Sequence, residues 1–581
     1  MRRLPLRVVS LLALLVTLLA SPVPADATSS FTFYGSGYGH GIGMSQWGAY
    51  GLAQMGWNHS RILRHFYQGT KVVSRPLPDR IRVGLTSGRT VVHLRAQAGP
   101  VRLWIGGPGQ RLIGKIPSGD TWRVFARDRD WAVRRANGSL VGGHRWGSPS
   151  ANLIVTYQAG SRVFIPEADA IWYHGFAYAR GTIEMNLTSC GDANGCVERL
   201  IARLGFEDYL LGLGEVPASW PMEAMRAQAV AARTYAAYAL VHYKRRADCN
   251  CDLTDGASDQ TYIGYNREAG SDGARWVQAA HSTAGEVVTY NGALIQSFYA
   301  ASDGGHSDSV QDVWHGGNPA YKIRWLTGVC DPGEWTSANP WTDWTKRYSA
   351  GDLTSRLAPY TGGIGTVRRF GATSRGGGGR IITAVVLGSN GRARISGSEL
   401  KSALGLYDER VWINSDHTIR GAIRSRYDGL GCRPGLPTSA QRGVTGGAQQ
   451  FFTHGGMYRN AGADLTVWLQ GAIDHEFRAV GAAAGRLGVP TSTPTSLSRS
   501  STCSGCQRIS FVGGRIYAAP STGAHALWGN ILHTYLNHHG PDGPLGMPTS
   551  RVRPRSGGGV RASFEHGRIT CQGGSCSVIR T

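Results

Sequence analysis

Acidic residues are scarce in this chain. Thirty-eight Asp and Glu stand against 61 Lys and Arg in 581 residues, a net charge of +23, and charged residues of both signs make up only 17%. With 17 Trp, 23 Tyr and 14 Phe needing burial, so little charge excludes general disorder. Long apolar runs are also lacking: past residue 27 nothing approaches the 18 consecutive apolar residues of a membrane-spanning helix. The 82 glycines do not recur at every third position, which excludes collagen. There is no G-x-S-x-G elbow to support a Ser-His-Asp hydrolase. The run Gly35, Gly37, Gly39, Gly41, Gly43 has His40 where a G-x-G-x-x-G fingerprint needs glycine, so a dinucleotide site has no support.

What is present begins with an export signal. Arg2, Arg3 and Arg7 precede the apolar stretch Val8–Ala20, and Ala25-Asp26-Ala27 offers small residues for cleavage, so residues 1–27 read as a signal peptide. Its removal takes away three Arg and one Asp and leaves +21. An exported cation of this kind is expected to meet anionic envelope polymers or lipid head groups, with no nucleic acid partner and no membrane span after cleavage. The ten cysteines agree with export. Cys190/Cys196, Cys503/Cys506 and Cys571/Cys576 are spaced for small disulfide loops, while the pairing of Cys249, Cys251, Cys330 and Cys432 stays open. A zinc site at Cys249-Asn250-Cys251 is the competing reading; C-x-C is not the usual knuckle and no second His/Cys cluster follows.

Texture divides the rest. In residues 28–74 alternate glycines lead into helical patterns, Met44–Met55 and a short helix capped by Ser60 with Ile62, Leu63, Phe66 and Tyr67 on one face. Residues 75–205 alternate as strands, with turns at Ser87-Gly88, Asn137-Gly138 and Ala159-Gly160. Residues 206–418 hold the best helix, an alanine-rich run from Trp220-Pro221 to about Tyr243 with Ser219 or Trp220 as cap. Asn291-Gly292 marks a hairpin between Glu286–Tyr290 and Leu294–Ala300. From residue 419 a unit recurs three times: Gly421-Ala-Ile to Pro437-Thr-Ser, Gly471-Ala-Ile to Pro490-Thr-Ser, and Gly529-Asn-Ile to Pro548-Thr-Ser, each followed by an aromatic residue and a glycine-rich strand pair. The expected fold class is α+β: a β-rich lobe with an alanine-rich helix, then a small-repeat β/α domain.

Two stretches carry a resemblance. Glu207-Asp-Tyr-Leu210 and Gly214-Glu-Val-Pro-Ala-Ser-Trp-Pro-Met-Glu-Ala-Met-Arg-Ala-Gln-Ala-Val-Ala-Ala-Arg-Thr-Tyr-Ala236 resemble the long signature of the SpoIID/LytB family, and Gly39-His-Gly-Ile-Gly-Met-Ser-Gln-Trp-Gly-Ala49 resembles its G-H-G element. Asp259-Gln-Thr-Tyr262, Ser302-Asp-Gly-Gly305 and Val313-Trp314 are weaker echoes. The G-H-G element usually comes last; here it comes first, as in a circular permutation, which requires the two ends of the domain to meet in space. Asp303 stands where a second Ser is common. The His/Cys zinc arrangement of some sporulation members has no match, so no metal or cofactor is carried over. The repeats resemble LGFP repeats, associated with holding exported proteins to the envelope; the first copy lacks the full Leu-Gly-x-Pro.

The resemblance implies a peptidoglycan-active protein. Sporulation members are associated with lytic cleavage of glycan strands, others with stimulating a cell-wall amidase. Cleavage needs a carboxylic acid at the glycosidic oxygen. The matching group is Glu215, which partial burial would tune upward, whereas capping the following helix would tune it downward. His40, Gln46, Trp220, Gln228, Arg233, Tyr235, Ser302, Gly304 and Gly305 are the expected substrate-binding residues. One of Trp47, Trp220 and Trp314 is expected to line a sugar groove. Glu223 is expected to be structural, paired with Arg226.

Overall fold

The computed structural model describes residues 30–127, 130–143, 146–147, 152–168, 174–188, 197–497 and 503–581. The expected signal peptide and the Cys190/Cys196 loop lie outside the described residues.

The chain is α+β. Strands Arg80–Arg89, Val197–Gly205, Thr182–Thr188, Leu153–Tyr157, Val101–Ile105 and Arg111–Ile116 lie side by side in that order, antiparallel throughout, and Leu253–Thr254 adds in parallel at the outer edge of the first. A second sheet runs Trp146–Gly147, Asp130–Arg134, Thr121–Arg127, Val91–Ala98, Arg162–Ile165, Phe176–Tyr178. Period-two alternation puts Ile81, Val83 and Leu85 of one sheet and Val92, Leu94 and Ala96 of the other into one core. Ser87-Gly88 is not the expected turn. It lies inside Arg80–Arg89, where the register to Val197–Gly205 slips by one residue, and Gly88 supplies the positive φ of a bulge.

Helix α1 (Gln46–Gln54) is capped by Ser45, whose hydroxyl accepts the Gly48 N–H. Helix α2 (His59–Phe66) is capped by Asn58, one turn-entry earlier than the expected Ser60, because the Asn58 side chain accepts the Arg61 N–H. Helix α3 (Phe206–Leu211) and the long α4 (Met222–His242) pack on the core, α4 through a face of alanines that lets neighbours approach its axis. Pro221 itself is the N-cap of α4, displacing the expected Ser219 or Trp220, and no side chain caps the helix.

The N-terminal segment closes the domain. Ser30–Gly35 is the central strand between Trp344–Ser349 and Val411–Ile413, with Phe33 opposite Ile413 and the Asn414 side chain accepting the Thr32 N–H at 2.9 Å. The first and last strands of this region are therefore neighbours, as a permuted order requires. The alternate glycines that follow allow close approach. A Cβ on Gly41 would stand 1.9 Å from the Arg380 guanidinium, and one on Gly43 would stand 2.0 Å from the Phe298 carbonyl oxygen. Met44–Ser45 then pairs in parallel with Tyr299–Ala300. The hairpin at Asn291-Gly292 forms with both residues at positive φ, but its second strand is only Ala293–Leu294; the chain breaks before Tyr299.

Three units follow, each a helix and a four-stranded meander. The helices Gly421–Gly429, Gly471–Ala479 and Gly529–Asn537 each start on a glycine with φ of 56° to 58°. In each unit the motif proline bridges to the following aromatic: Pro437 to Phe452, Pro490 to Phe511, Pro548 to Phe564. That ring packs on the helix aromatic Tyr427, Phe477 or Tyr535 at 4.3 to 5.4 Å between centroids. The first unit keeps this geometry without the full motif, and Cys330–Cys432 ties it to the preceding domain. Cys503–Cys506 and Cys571–Cys576 close small loops, and Cys249–Cys251 is a disulfide that uses both thiols a zinc ion would need. Among the described residues no helix is long and apolar enough to cross a membrane.

Candidate active site

Glu215 stands in the short loop between α3 and α4, and backbone pairing fixes it. The loop runs alongside Thr261–Ile263: Gly214 N–H donates to the Thr261 carbonyl and Ile263 N–H to the Gly212 carbonyl, both at 2.9 Å. Gly212 is required here, since a Cβ would come within 2.4 Å of the Tyr262 ring. Just beyond these rungs the Thr261 N–H donates to Glu215 Oε1 at 2.6 Å. The Tyr299 hydroxyl and the Gln46 amide also face the carboxyl and favour its charged form. Tyr299 is brought there by its pairing with Met44–Ser45, and Gln46 is the first residue of α1. The N-terminal segment thus contributes directly to the surroundings of Glu215.

The donors are themselves held. Tyr209 donates to Gln260 Oε1 at 2.8 Å, and Gln260 Nε2 donates to the Tyr299 hydroxyl at 2.8 Å, which leaves the Tyr299 proton for the carboxylate. Gln46 Nε2 also reaches Gln228 Oε1 at 3.4 Å, and the Gln228 amide nitrogen, though buried, has no protein acceptor. Burial is the largest influence on Glu215. It outweighs the three donors and pushes the carboxyl up to about 7. Glu215 is nevertheless half-buried as a residue, between exposed Pro217 and Ser219 and the enclosed sheet core. It does not cap α4, so the lowering influence of a helix N-terminus does not apply.

The other expected residues separate into two sets. Trp220 borders the site and packs against half-buried Trp47 and Tyr50, with ring centroids 4.7 and 5.1 Å away. Tyr235 lies on the far side of Tyr299's strand, packed on Phe298 and donating to Asp259 at 3.1 Å. His40 uses both ring nitrogens on backbone: Nδ1 accepts the Ile42 N–H at 3.0 Å, and the other ring N–H donates to the Tyr299 carbonyl. Burial first, then the charges of Arg380 and Lys401, push it down to about 3, so it is neutral and positions Tyr299. Arg233 is withdrawn from any groove. It is 0% exposed and holds Glu207 with two bonds of 2.8 and 2.9 Å. Ser302, Gly304 and Gly305 are likewise interior, since the Ser302 hydroxyl and the Gly304 N–H both donate to buried Glu334. Glu223 pairs with Arg226, as expected, and also with His59.

Trp314 is the most exposed of the three tryptophans, at 44%, and with Phe298, His315 and Tyr321 lines a hollow of about 370 Å³. The sequence reading missed Tyr209, Gln260 and Tyr299. Asp259-Gln-Thr-Tyr262 gave a faint signal for the first contact loop; Tyr299, inside an ordinary β-like run, gave none.

Comparison with known proteins agrees with the signature stretch around α3 and α4 and with the repeats. Residues 197–290 match the family described as SpoIID, stage II sporulation protein, and residues 487–543 match the LGFP repeat. Stage II sporulation protein D of Bacillus subtilis is 25% identical over 245 residues, 40% of this chain and 67% of that protein. The amidase enhancer of the same organism is 36% identical over 105 residues, 18% of this chain and 13% of that protein. An uncharacterised protein of Brachyspira hyodysenteriae is 34% identical over 166 residues, 28% of this chain and 41% of that one. The chain thus spans less than half the length of two of these three relatives. The residues that hold Glu215 from the α3 side, together with α4, fall inside the matched segment, and the chain carries a SpoIID domain followed by LGFP-repeat sequence.

Proposed function

We propose that this is an exported, cell-wall-associated protein that cleaves peptidoglycan glycan strands without water, as a lytic transglycosylase, with Glu215 as acid and then base. The observation that carries the reading is a half-buried carboxyl poised at about 7 and fixed by Thr261, Tyr299 and Gln46. Near neutral pH such a group holds a proton in a substantial fraction of molecules and gives it up readily. Protonated Glu215 donates to the oxygen between N-acetylmuramic acid and N-acetylglucosamine as the oxocarbenium-like state develops. The resulting carboxylate, held by the Tyr299 hydroxyl and the Thr261 N–H, then takes the proton of the muramyl C6 hydroxyl as that oxygen closes on C1. The products are a 1,6-anhydro end and a free GlcNAc 4-hydroxyl, and one carboxyl serves both steps.

Half-buried Trp47 and Tyr50, packed on buried Trp220, supply flat faces on which a sugar ring can lie. The repeats serve as the wall anchor in this reading, together with the basic charge of the chain, which favours anionic envelope polymers.

The second reading is a non-catalytic activator of a cell-wall amidase, favoured by the likeness to a protein named amidase enhancer. Incubation of the secreted chain and of Glu215→Gln with peptide-free glycan, followed by mass spectrometry, separates the two. Anhydro products from the wild type alone are expected. Intact glycan with both proteins, alongside amidase stimulation retained by both, gives the second reading.

A further inference from the structure

A second acidic cluster lies wholly inside the protein, apart from the Glu215 shell. Asp303, Asp331 and Glu334 are each at most 1% exposed, and one carboxylate oxygen of each lies within 4.8 Å of the others. Glu334 is engaged at both oxygens, Oε2 by a single donor. Oε2 accepts the Ser45 hydroxyl at 2.7 Å; Oε1 accepts the Ser302 hydroxyl, the Gly304 N–H at 3.2 Å and the Asn339 amide at 2.9 Å. Asp303 and Asp331 are half engaged. Oδ1 of each accepts one backbone N–H, from Gly305 at 2.8 Å and Gly333 at 2.9 Å, while Oδ2 of each is buried and accepts no hydrogen bond from the protein. A bare carboxylate oxygen in the interior is strongly unfavourable, so these two atoms call for a counter-charge.

The surrounding guanidinium groups do not provide it. Six buried carboxylates (Asp303, Asp308, Asp331, Glu334, Asp408, Glu409) face three buried arginines, Arg380, Arg410 and Arg424. Arg380 pairs with Asp308 and Asp408, and Arg424 with Asp428. Arg410 directs its bonds to the Gly378 carbonyl and the Ser36 hydroxyl. Adding the flanking Lys401 and Asp428 leaves the imbalance at three negative charges.

We infer that Asp303, Asp331 and Glu334 bind one hard divalent cation of the calcium class. The donors are all oxygen, three from carboxylates, with the Ser45 and Ser302 hydroxyls at the same place; a thiolate- or imidazole-seeking ion has nothing to hold there. The cation joins three segments distant in sequence: Ser45 ahead of α1, the Ser302–Gly305 loop, and the turn Pro332–Glu334. Ser45 immediately precedes Gln46, so the ion braces one wall of the Glu215 site. The inference does not depend on which reaction Glu215 performs.

The test is calorimetric titration of the EGTA-stripped full chain with CaCl2, alongside thermal unfolding. One equivalent is expected to bind with Kd of about 10⁻³ M or tighter, to raise Tm reversibly, and to bind at least about tenfold more weakly to Asp331→Asn. Terbium gives a second measurement that needs no carboxylate variant, because Trp335 lies against Gly305 and can sensitise its emission. Emission that calcium quenches and Trp335→Phe diminishes supports the site. Absence of calcium, magnesium and manganese binding at about 10 mM overturns it. So does unchanged calcium affinity in Asp331→Asn, or unchanged terbium emission in Trp335→Phe. Two Asp oxygens that merely share a proton give the first of those overturning results.

Discussion

Two glutamates separated by more than a hundred residues meet adjacent residues of one segment: Ser45 donates to Glu334 and Gln46 faces Glu215. Both carboxyls are faced by a backbone N–H, a hydroxyl and a side-chain amide. They differ in their access to solvent. Glu334 is 0% exposed and has four donors, three on Oε1 and one on Oε2, so the group is a joint in the structure. Glu215 is partly exposed as a residue, and burial of its carboxyl raises its pKa against the donors that face it. Similar ligands give a fixture in one case and, in the proposed function, the acid in the other. Residue type and local bonding alone do not distinguish them; the depth of each carboxyl does.

The largest effect that would sharpen this contrast is on activity. Glu215→Gln is expected to lower anhydro-product formation by about 10³-fold or more, measured as turnover on peptide-free glycan, with wall binding retained. A decrease of less than tenfold would break the proposed division of roles. Next is the buried network. Arg380→Met leaves Asp308 and Asp408 without their cation and is expected to destabilise the chain by about 3–5 kcal/mol, read from denaturant unfolding.

The third effect runs in the opposite sense. The folded pKa of Glu215 is raised from 4.5 to about 7. Between those values the folded chain binds more protons than the unfolded chain, so stability falls as pH rises through 7 and is recovered below about 4.5. Glu215→Gln is therefore expected to be more stable than wild type at pH 8, by up to about 3 kcal/mol, and to lose that advantage at pH 4. Calorimetric Tm values at the two pH values check the sign. The smallest effect concerns tuning. Tyr299→Phe removes a donor to the carboxylate, so the alkaline limb of the pH–rate profile is expected to move to higher pH, with turnover reduced about tenfold. An unmoved limb would place the source of the tuning elsewhere than Tyr299.

Legibility differed by element. Helix α4 was readable from composition and Pro221, although its cap was misplaced because Pro221 itself adopts the extended cap conformation. The hairpin at Asn291-Gly292 followed from turn chemistry, but the strand beyond it was overextended, since the chain leaves that sheet and Tyr299–Ala300 joins the N-terminal segment instead. Ser87-Gly88 was misread because a bulge and a turn both want a glycine at positive φ. Arg233 looked available beside Gln228 on one helix. Its partner Glu207 lies on a preceding helix, and only packing shows Arg233 itself to be buried beneath that pair.

Local order therefore determined the α4 helix and the recurrence of the three repeat units, because propensity, turn residues and motif spacing act over a few neighbours; Glu215 was singled out by the resemblance alone. The tertiary structure decided which of the two glutamates is wholly interior and which is partly exposed as a residue. It also decided that Cys330 bonds Cys432, that Ser302 serves Glu334, and that Tyr299 and Gln46 converge on Glu215. Desolvation and ion pairing depend on what surrounds a group in three dimensions, and residues hundreds of positions apart supply those surroundings.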